Sequence, residues 1–177
     1  KFLRDENLTK QTHIRVQTQT RSMELVYFSD EKIQVEIGVP EQLRFLEFAG
    51  FSGITLDIGN PHWVVFARTE EDFNLQKIGQ LANQTEVFPQ GVNVGYAKII
   101  DRCQLKLDVY ERGVGPTAAC GSGAVAAMVA GRWQNLLAEE VAVTQSGGSV
   151  QVRWKNLETS AFLVGSAKTT FRGEIQL

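Results

Sequence analysis

Apolar and polar residues alternate along most of the chain, in short runs with the length of a β-strand. The first runs are HIRVQTQT, MELVYFSD and KIQVEIGV, and then GITLDI and HWVVFA on either side of the turn Gly59-Asn60-Pro61. Later runs are VNVGYAKII, QLKLDVYE, EVAVTQ, SVQVRW, AFLVGSA and FRGEIQL. Alternation with a period of two, bounded by turn residues, is typical of half-buried strands. The pattern therefore predicts a protein built mainly of strands.

Two segments break this alternation and predict helices. One begins near Thr69, where Thr-Glu-Glu-Asp offers an N-terminal cap and an acidic first turn before Phe73. The other is GSGAVAAMVAGRW, which has no polar face over residues 123–131. A helix that is apolar on all sides is buried, and its small residues let neighbouring elements approach its axis. We therefore predict an α+β fold, with a mixed or antiparallel sheet wrapped around a central buried helix.

The composition narrows the class of protein. The chain has 177 residues, a net charge of -2, 43% hydrophobic residues and no basic run, which argues against a nucleic-acid partner. Its apolar runs are too short to span a membrane, and its start does not resemble a signal peptide. Two cysteines, Cys103 and Cys120, make no disulfide framework or zinc motif, so we expect a reducing, cytoplasmic setting. Cys103, in DRCQL, is interpreted as structural or incidental.

Cys120 comes directly before Gly-Ser-Gly at the predicted start of the buried helix. The first backbone N–H groups of a helix lack intrahelical partners, and this end of the helix dipole is positive. We therefore expect the pKa of Cys120 to fall toward physiological pH, and a substrate carboxylate could bind the N–H groups of Gly121, Ser122 and Gly123. A thiol in this position could act as a general acid or base. The spacing alone leaves a packed core cysteine equally open.

Three further segments carry polar residues that suit a small-molecule site. GNPHW places Asn60 and His62 in a turn before a strand, although a plain Asn-Pro turn with an incidental histidine is the alternative. ERG ends a strand, where Arg112 could bind a carboxylate and Glu111 could tune a thiol; a surface ion pair is the alternative. Asn93 begins another strand, and simple turn chemistry would also explain it.

These segments occur in the order of a known family. GNPHWVVF, GVNVGY, LDVYERGVGPTAACGSGAVAA, VQVRW and GSAKTTFRGEI together resemble the C-terminal part of diaminopimelate epimerases. The resemblance implies a cofactor-independent isomerase of the diaminopimelate epimerase-like fold, which uses neither pyridoxal phosphate nor a metal. Its substrate would be 2,6-diaminopimelate, interconverted between LL and meso forms in lysine and peptidoglycan precursor biosynthesis. Neither a nucleic acid nor a membrane is expected as a partner. A homodimer is one alternative for the oligomeric state.

The resemblance also implies roles for individual residues. The family uses two cysteines on opposite faces of the substrate α-carbon, each at the start of a helix in a different domain. Cys120 resembles the second of these cysteines, Glu111 its partner group, and His62 the group that assists the other cysteine. The residues that resemble substrate ligands are Asn60, Asn93, Arg112, Gly121 and Ser122. No counterpart of the first cysteine is found, so we expect a fragment with half of the site that is inactive alone.

The resemblance assigns residues 1–39 to the end of an N-terminal domain and 40–167 to the C-terminal domain that carries the second cysteine. Residues 168–177 would form a terminal strand that returns to the N-terminal domain. Two positions depart from the family pattern, because Pro116 stands where a glutamate is usual and Trp63 where a smaller residue is usual.

Two other functions stay open. One is a related cofactor-independent racemase or isomerase, similar to proline racemase or to the phenazine-biosynthesis isomerases, with a different substrate. The other is a non-catalytic binding protein that keeps the same fold.

Overall fold

A computed structural model describes residues 1–18, 22–30, 32–67 and 73–176. Within these ranges twelve strands form one sheet, accompanied by three helices. The helices are α1 (Phe2–Asp5), α2 (Leu75–Ala82) and α3 (Gly121–Trp133). The strands are β1 (His13–Gln17), β2 (Ser22–Ser29), β3 (Lys32–Gly38), β4 (Glu41–Phe48), β5 (Phe51–Asp57), β6 (Pro61–Phe66), β7 (Asn93–Asp101), β8 (Gln104–Glu111), β9 (Gly115–Thr117), β10 (Glu140–Gln145), β11 (Gly148–Arg153) and β12 (Ala161–Gly165).

The strand order of the sheet is β1-β2-β3-β12-β11-β10-β8-β7-β6-β5-β4, and β9 pairs with β8 beside this path. The β6–β7 and β8–β10 pairs are parallel and the others are antiparallel, so the sheet is mixed. His62 pairs with Asn93 across β6 and β7, and Val94 pairs with Tyr110 across β7 and β8. These registers bring the start of β6, the start of β7 and the end of β8 to one edge of the sheet.

Helix α3 is the centre of the larger core. Its bounds, Gly121–Trp133, are those predicted from the sequence, and residues 123–131 are all buried. Strands β5 to β8 and β10 to β12 lie against it, so the prediction of an α+β fold with a sheet around a central helix is confirmed. Although α3 is apolar, no helix within the described ranges is long and apolar enough to cross a membrane.

Helix α2 covers the opposite face of the sheet and closes a second core with Trp63, Val65 and Val94. The helix was predicted to begin near Thr69, and that start is wrong: its first residue is Leu75, and Asn74 caps it by accepting a hydrogen bond from the Lys77 N–H at 2.9 Å. Residues 69–72 themselves lie outside the described residues. Phe73 stays out of the helix because its ring stacks on Tyr96, with 4.3 Å between centroids.

The contact between α2 and β8 gives a stability prediction. In an exposed helix, Gly→Ala stabilises by about 1 kcal/mol, but a Cβ on Gly79 would overlap the ring of Tyr110. Overpacking costs about 1–3 kcal/mol, and a ring held between helix and sheet has little room to move. Gly79→Ala is therefore expected to lower the free energy of unfolding by about 2 kcal/mol in urea titrations. Gln80→Ala, on the exposed face of α2, is the control and should be near neutral; stabilisation by Gly79→Ala would contradict the prediction.

Strand β4 was not predicted from the sequence. Its odd-numbered residues Leu43 and Phe45 face the core around α3 and the ring of Trp133, whereas Leu46 and Phe48 face the core around α2. β4 is the last strand in the described order and has no buried residue, and its apolar residues change face between Phe45 and Leu46, so the run lacks the strict alternation of a half-buried strand. The three-residue strand β9 was also missed.

The end of the chain differs from its predicted form. FRGEIQL alternates, but the described residues 168–176 form no strand. Phe171 and Ile175 are 85% and 83% exposed, so within the described part of the chain these side chains have no apolar surface against which a strand would pack. The division into domains stays a prediction.

Candidate active site

Cys120 caps helix α3. Its backbone is extended (φ -139°, ψ 110°), its carbonyl accepts the Ala124 N–H at 2.9 Å, and its Sγ accepts the Gly123 N–H at 3.4 Å. The N–H groups of Gly121 and Ser122 lie in the first turn, where a helix offers no carbonyl partner. The thiol and two donors for an anion therefore occupy the same helix terminus, as the sequence predicts.

A buried glutamine that was not identified from the sequence holds this cysteine in place. The Gln145 Oε1 atom accepts the Cys120 N–H at 2.8 Å, and its Nε2 donates to the Cys120 carbonyl at 3.4 Å. Gln145 ends β10, in the inward-facing register of Val141 and Val143, and is 8% exposed. A polar residue that continues an apolar inward-facing series is a signal that could have marked it.

A chain of side chains connects β6 to the cysteine. His62 Nε2 lies 3.1 Å from Asn60 Oδ1, and Asn60 Nδ2 donates to Ser122 Oγ at 3.4 Å. Ser122 Oγ in turn lies 3.5 Å from Cys120 Sγ. Sixty-two positions separate Asn60 from Ser122 along the chain, so the fold brings together two motifs that are distant in the sequence.

His62 is neutral in this environment. It is 2% exposed, and burial followed by the positive charge of Arg112 lowers the pKa of its imidazole to about 3. Because His62 shares a face of β6 with Val64, its ring points toward the α3 side of the sheet, whereas the ring of Trp63 packs into the core around α2. The unusual Trp63 therefore lies behind the site and not in it.

Glu111 ends β8 at the same edge, and Arg112 follows it. Glu111 Oε1 accepts the Thr117 hydroxyl at 2.6 Å, and β9 holds this loop by pairing Gly115 with Glu111. Arg112 Nη1 donates to the carbonyl of Gln90 at 2.7 Å. Within the described residues neither Glu111 nor Arg112 forms an ion pair, so the alternative of a surface ion pair between them has no support there.

Asn93 joins the two strands that flank its own. Its Nδ2 donates to the Pro61 carbonyl at 3.0 Å, and its Oδ1 accepts the Arg112 N–H at 3.0 Å. The side chain is 4% exposed, and both ends of its amide contact backbone. In this structure Asn93 fixes the relative positions of His62 and Arg112, while its role as a substrate ligand stays a prediction.

The expected pKa of Cys120 is corrected by the structure. The helix terminus was expected to lower it, but the pKa is raised, mainly because the thiol is buried. Hydrogen bonds from Ser122 and from the Gly123 N–H act in the lowering direction, and the nearby Glu111 carboxylate raises the pKa further. Desolvation disfavours the charged thiolate more than the helix terminus favours it.

Cys103 lies away from this site, exposed on the turn between β7 and β8. Its N–H donates to Asp101 Oδ1 at 2.7 Å. No group of three or more His, Cys, Asp or Glu residues in the described ranges is arranged to hold a metal ion.

Comparison of sequences finds a matching family. The model of a family described as diaminopimelate epimerase matches residues 54–170. Diaminopimelate epimerases of Coxiella burnetii, from strain Dugway 5J108-111 and strain RSA 331 / Henzerling II among others, are 37% identical over 193 residues. The match covers 98% of this chain and 69% of each relative.

Solved structures show the same fold. A probable proline racemase from Agrobacterium radiobacter K84 superposes with a TM-score of 0.70 at 14% identity, over 99% of this chain and 64% of that one. A hydroxyproline epimerase from Agrobacterium vitis gives a TM-score of 0.65 at 13% identity, over 93% and 61%. A Bacillus anthracis protein of the phenazine biosynthesis PhzF family gives 0.63 at 13% identity, over 93% and 69%. The chain thus spans about two thirds of the length of the proteins that it matches.

Proposed function

The chain belongs to the diaminopimelate epimerase family, and we propose on that basis that it supplies one half of an amino-acid epimerase site. The proposed substrate is 2,6-diaminopimelate, interconverted between its LL and meso forms by two-cysteine acid/base chemistry without a cofactor. The observation that carries the proposal is the position of Cys120, whose Sγ lies beside the first-turn N–H groups of the buried helix α3.

The proposed reaction removes the proton of the α-carbon on one face and delivers a proton to the opposite face. A thiolate on one face takes the α-proton and becomes a thiol, while the electron pair of the C–H bond passes into the α-carboxylate. A thiol on the other face then returns a proton to the α-carbon and becomes a thiolate, so the configuration inverts with no net redox change. Burial raises the pKa of Cys120, which favours the neutral thiol form of this residue before substrate binds.

The surrounding residues serve this chemistry by binding and orientation. The N–H groups of Gly121 and Ser122 would bind the α-carboxylate, where negative charge develops as the proton leaves. Arg112 would bind the distal carboxylate, and the Glu111 carboxylate would help to keep Cys120 protonated by raising its pKa. Asn60 and Asn93 would complete the substrate contacts. His62, neutral because of its low pKa, would be a hydrogen-bond partner for the opposing thiol.

The two-cysteine mechanism needs a second thiol that faces Cys120. Cys103 is the chain's only other cysteine, and it lies at the opposite end of β8 from Glu111, roughly 25 Å along the strand. We therefore propose that the opposing thiol comes from a segment other than these 177 residues, and that the chain alone does not turn over diaminopimelate.

The test is α-deuterium incorporation in D₂O, followed by mass spectrometry. It uses the 177-residue chain and, in parallel, the product of the complete gene, each with LL-diaminopimelate, L-proline and hydroxyproline. We expect deuterium to enter diaminopimelate with the product of the complete gene and not with the 177-residue chain. Incorporation into proline or hydroxyproline without diaminopimelate would favour a related racemase, and none with any substrate would favour a non-catalytic protein. Turnover by the 177-residue chain would overturn the half-site proposal.

A further inference from the structure

The chain of hydrogen bonds that runs from His62 through Asn60 and Ser122 to Cys120 has a direction. An Asn side chain has one acceptor atom and one donor group, and here Oδ1 of Asn60 faces His62 while its Nδ2 faces Ser122. Since His62 is neutral, its Nε2 must carry the hydrogen in order to donate to Oδ1. Ser122 Oγ accepts from Asn60, and its own hydrogen is then free to point at Cys120 Sγ, 3.5 Å away.

From this geometry we infer that the Ser122 hydroxyl is a donor to the Cys120 thiolate and that Asn60 is the residue that holds it in that orientation. The inference rests on the proposed function for its catalytic meaning, because it concerns the acid/base group of that reaction. It gives Ser122 a side-chain role in addition to the one expected of its backbone N–H.

The donors around Sγ determine how readily the thiolate forms. Ser122 O–H and the Gly123 N–H at 3.4 Å both favour the charged form. Burial and the Glu111 carboxylate, which reaches the site from β8, favour the neutral thiol. From β10, the uncharged Gln145 forms hydrogen bonds with the backbone N–H and carbonyl of Cys120. The positive charge of Arg112 acts on His62. Ser122 is therefore a side chain whose removal should shift the balance toward the neutral thiol.

The experiment measures the pH dependence of Cys120 alkylation by iodoacetamide in the 177-residue chain. The exposed Cys103 is first replaced, so every variant is made in a Cys103→Ser background and a single thiol reacts. Ser122→Ala is expected to move the midpoint of the rate upward by about one pH unit, since a hydrogen bond to a charged group is worth that much. Ser122→Thr, which keeps the hydroxyl, should stay close to the parent midpoint.

Asn60→Ala separates positioning from direct contact. It should raise the midpoint by less than Ser122→Ala, because the hydroxyl remains but loses its fixed orientation. The double variant should match Ser122→Ala alone, since Asn60 acts through the hydroxyl. An additive shift would overturn the role given to Asn60, and an unchanged midpoint in Ser122→Ala would overturn the role given to Ser122. Ser122→Gly serves as a second hydroxyl deletion if the alanine variant does not fold.

This readout is independent of turnover. If the complete gene product fails to exchange the α-proton of diaminopimelate but the midpoint moves with Ser122, the proposed function fails while the hydrogen-bond assignment stands. If exchange occurs and the midpoint does not move, the assignment fails while the proposed function stands.

Discussion

Cys120→Ser in the complete gene product is expected to lower the rate of α-deuterium incorporation into diaminopimelate by about 10³-fold, within the range supplied by general acid/base groups. Serine is a preferred N-cap residue, so its hydroxyl can accept the Gly123 N–H that Sγ now accepts, and helix α3 should stay intact. A hydroxyl is far less acidic than a thiol and cannot take the α-proton from carbon at neutral pH. The variant thus removes the chemistry and keeps the cap.

The other cysteine provides the matched control. Cys103→Ser changes the same atom on an exposed turn remote from the site, so the exchange rate should not change. Circular dichroism and urea titration would show that both variants fold. Equal exchange rates for Cys120→Ser and the parent protein would contradict a reactive role for Cys120 and return it to the packed core cysteine that the spacing alone left open.

His62 is expected to make the protein sensitive to acid. The unfolded chain binds a proton at His62 below the ordinary histidine pKa of about 6.5, whereas the folded protein keeps the ring neutral down to a pKa of about 3. Between these values the unfolded state holds more protons, so stability falls as the pH falls. At pH 4.5 the loss from this one group relative to neutral pH is about 3 kcal/mol.

Urea titrations at pH 7 and pH 4.5 measure this loss. His62→Gln keeps an amide that can bond to Asn60 but does not titrate, so its loss between the two pH values should be smaller than that of the parent by about 3 kcal/mol. The chain's other histidine, His13, is exposed, and His13→Gln should lose as much stability as the parent. Identical losses in the parent and His62→Gln would show that the buried imidazole is not the acid-sensitive group.

The sequence predicts α3 to the residue and most of the strands, because local patterns carry that information. A helix of small apolar residues with no polar face is stable only in the core. Alternation with a period of two marks strands that have one buried and one solvent-exposed face. The same reasoning misses β4, whose apolar residues are divided between two faces and none of which is buried. It also places the start of α2 too early, because the stacking of Phe73 on Tyr96 is a tertiary contact.

For the candidate site, the sequence indicates which residues lie together better than it indicates their environment. His62, Asn60, Ser122 and Cys120 were selected from separate motifs, and the structure joins them by hydrogen bonds. The direction of the Cys120 pKa shift could not be obtained from the helix terminus alone, since burial by distant segments outweighs it. Gln145 continues the apolar inward-facing series of β10, but its partner, the backbone of Cys120, lies twenty-five positions away and cannot be identified from the local pattern.

The side chain of Asn93 has a consequence for the energetics of ligand binding. Its amide bridges the Pro61 carbonyl and the Arg112 N–H, so the backbone that carries the arginine is ordered in the free protein. The conformational entropy of that segment is lost when the protein folds, so it is not lost again when a carboxylate binds. A mutation at Asn93 would therefore weaken affinity by more than the loss of its own contact to the ligand, because the binding step would also have to order this backbone.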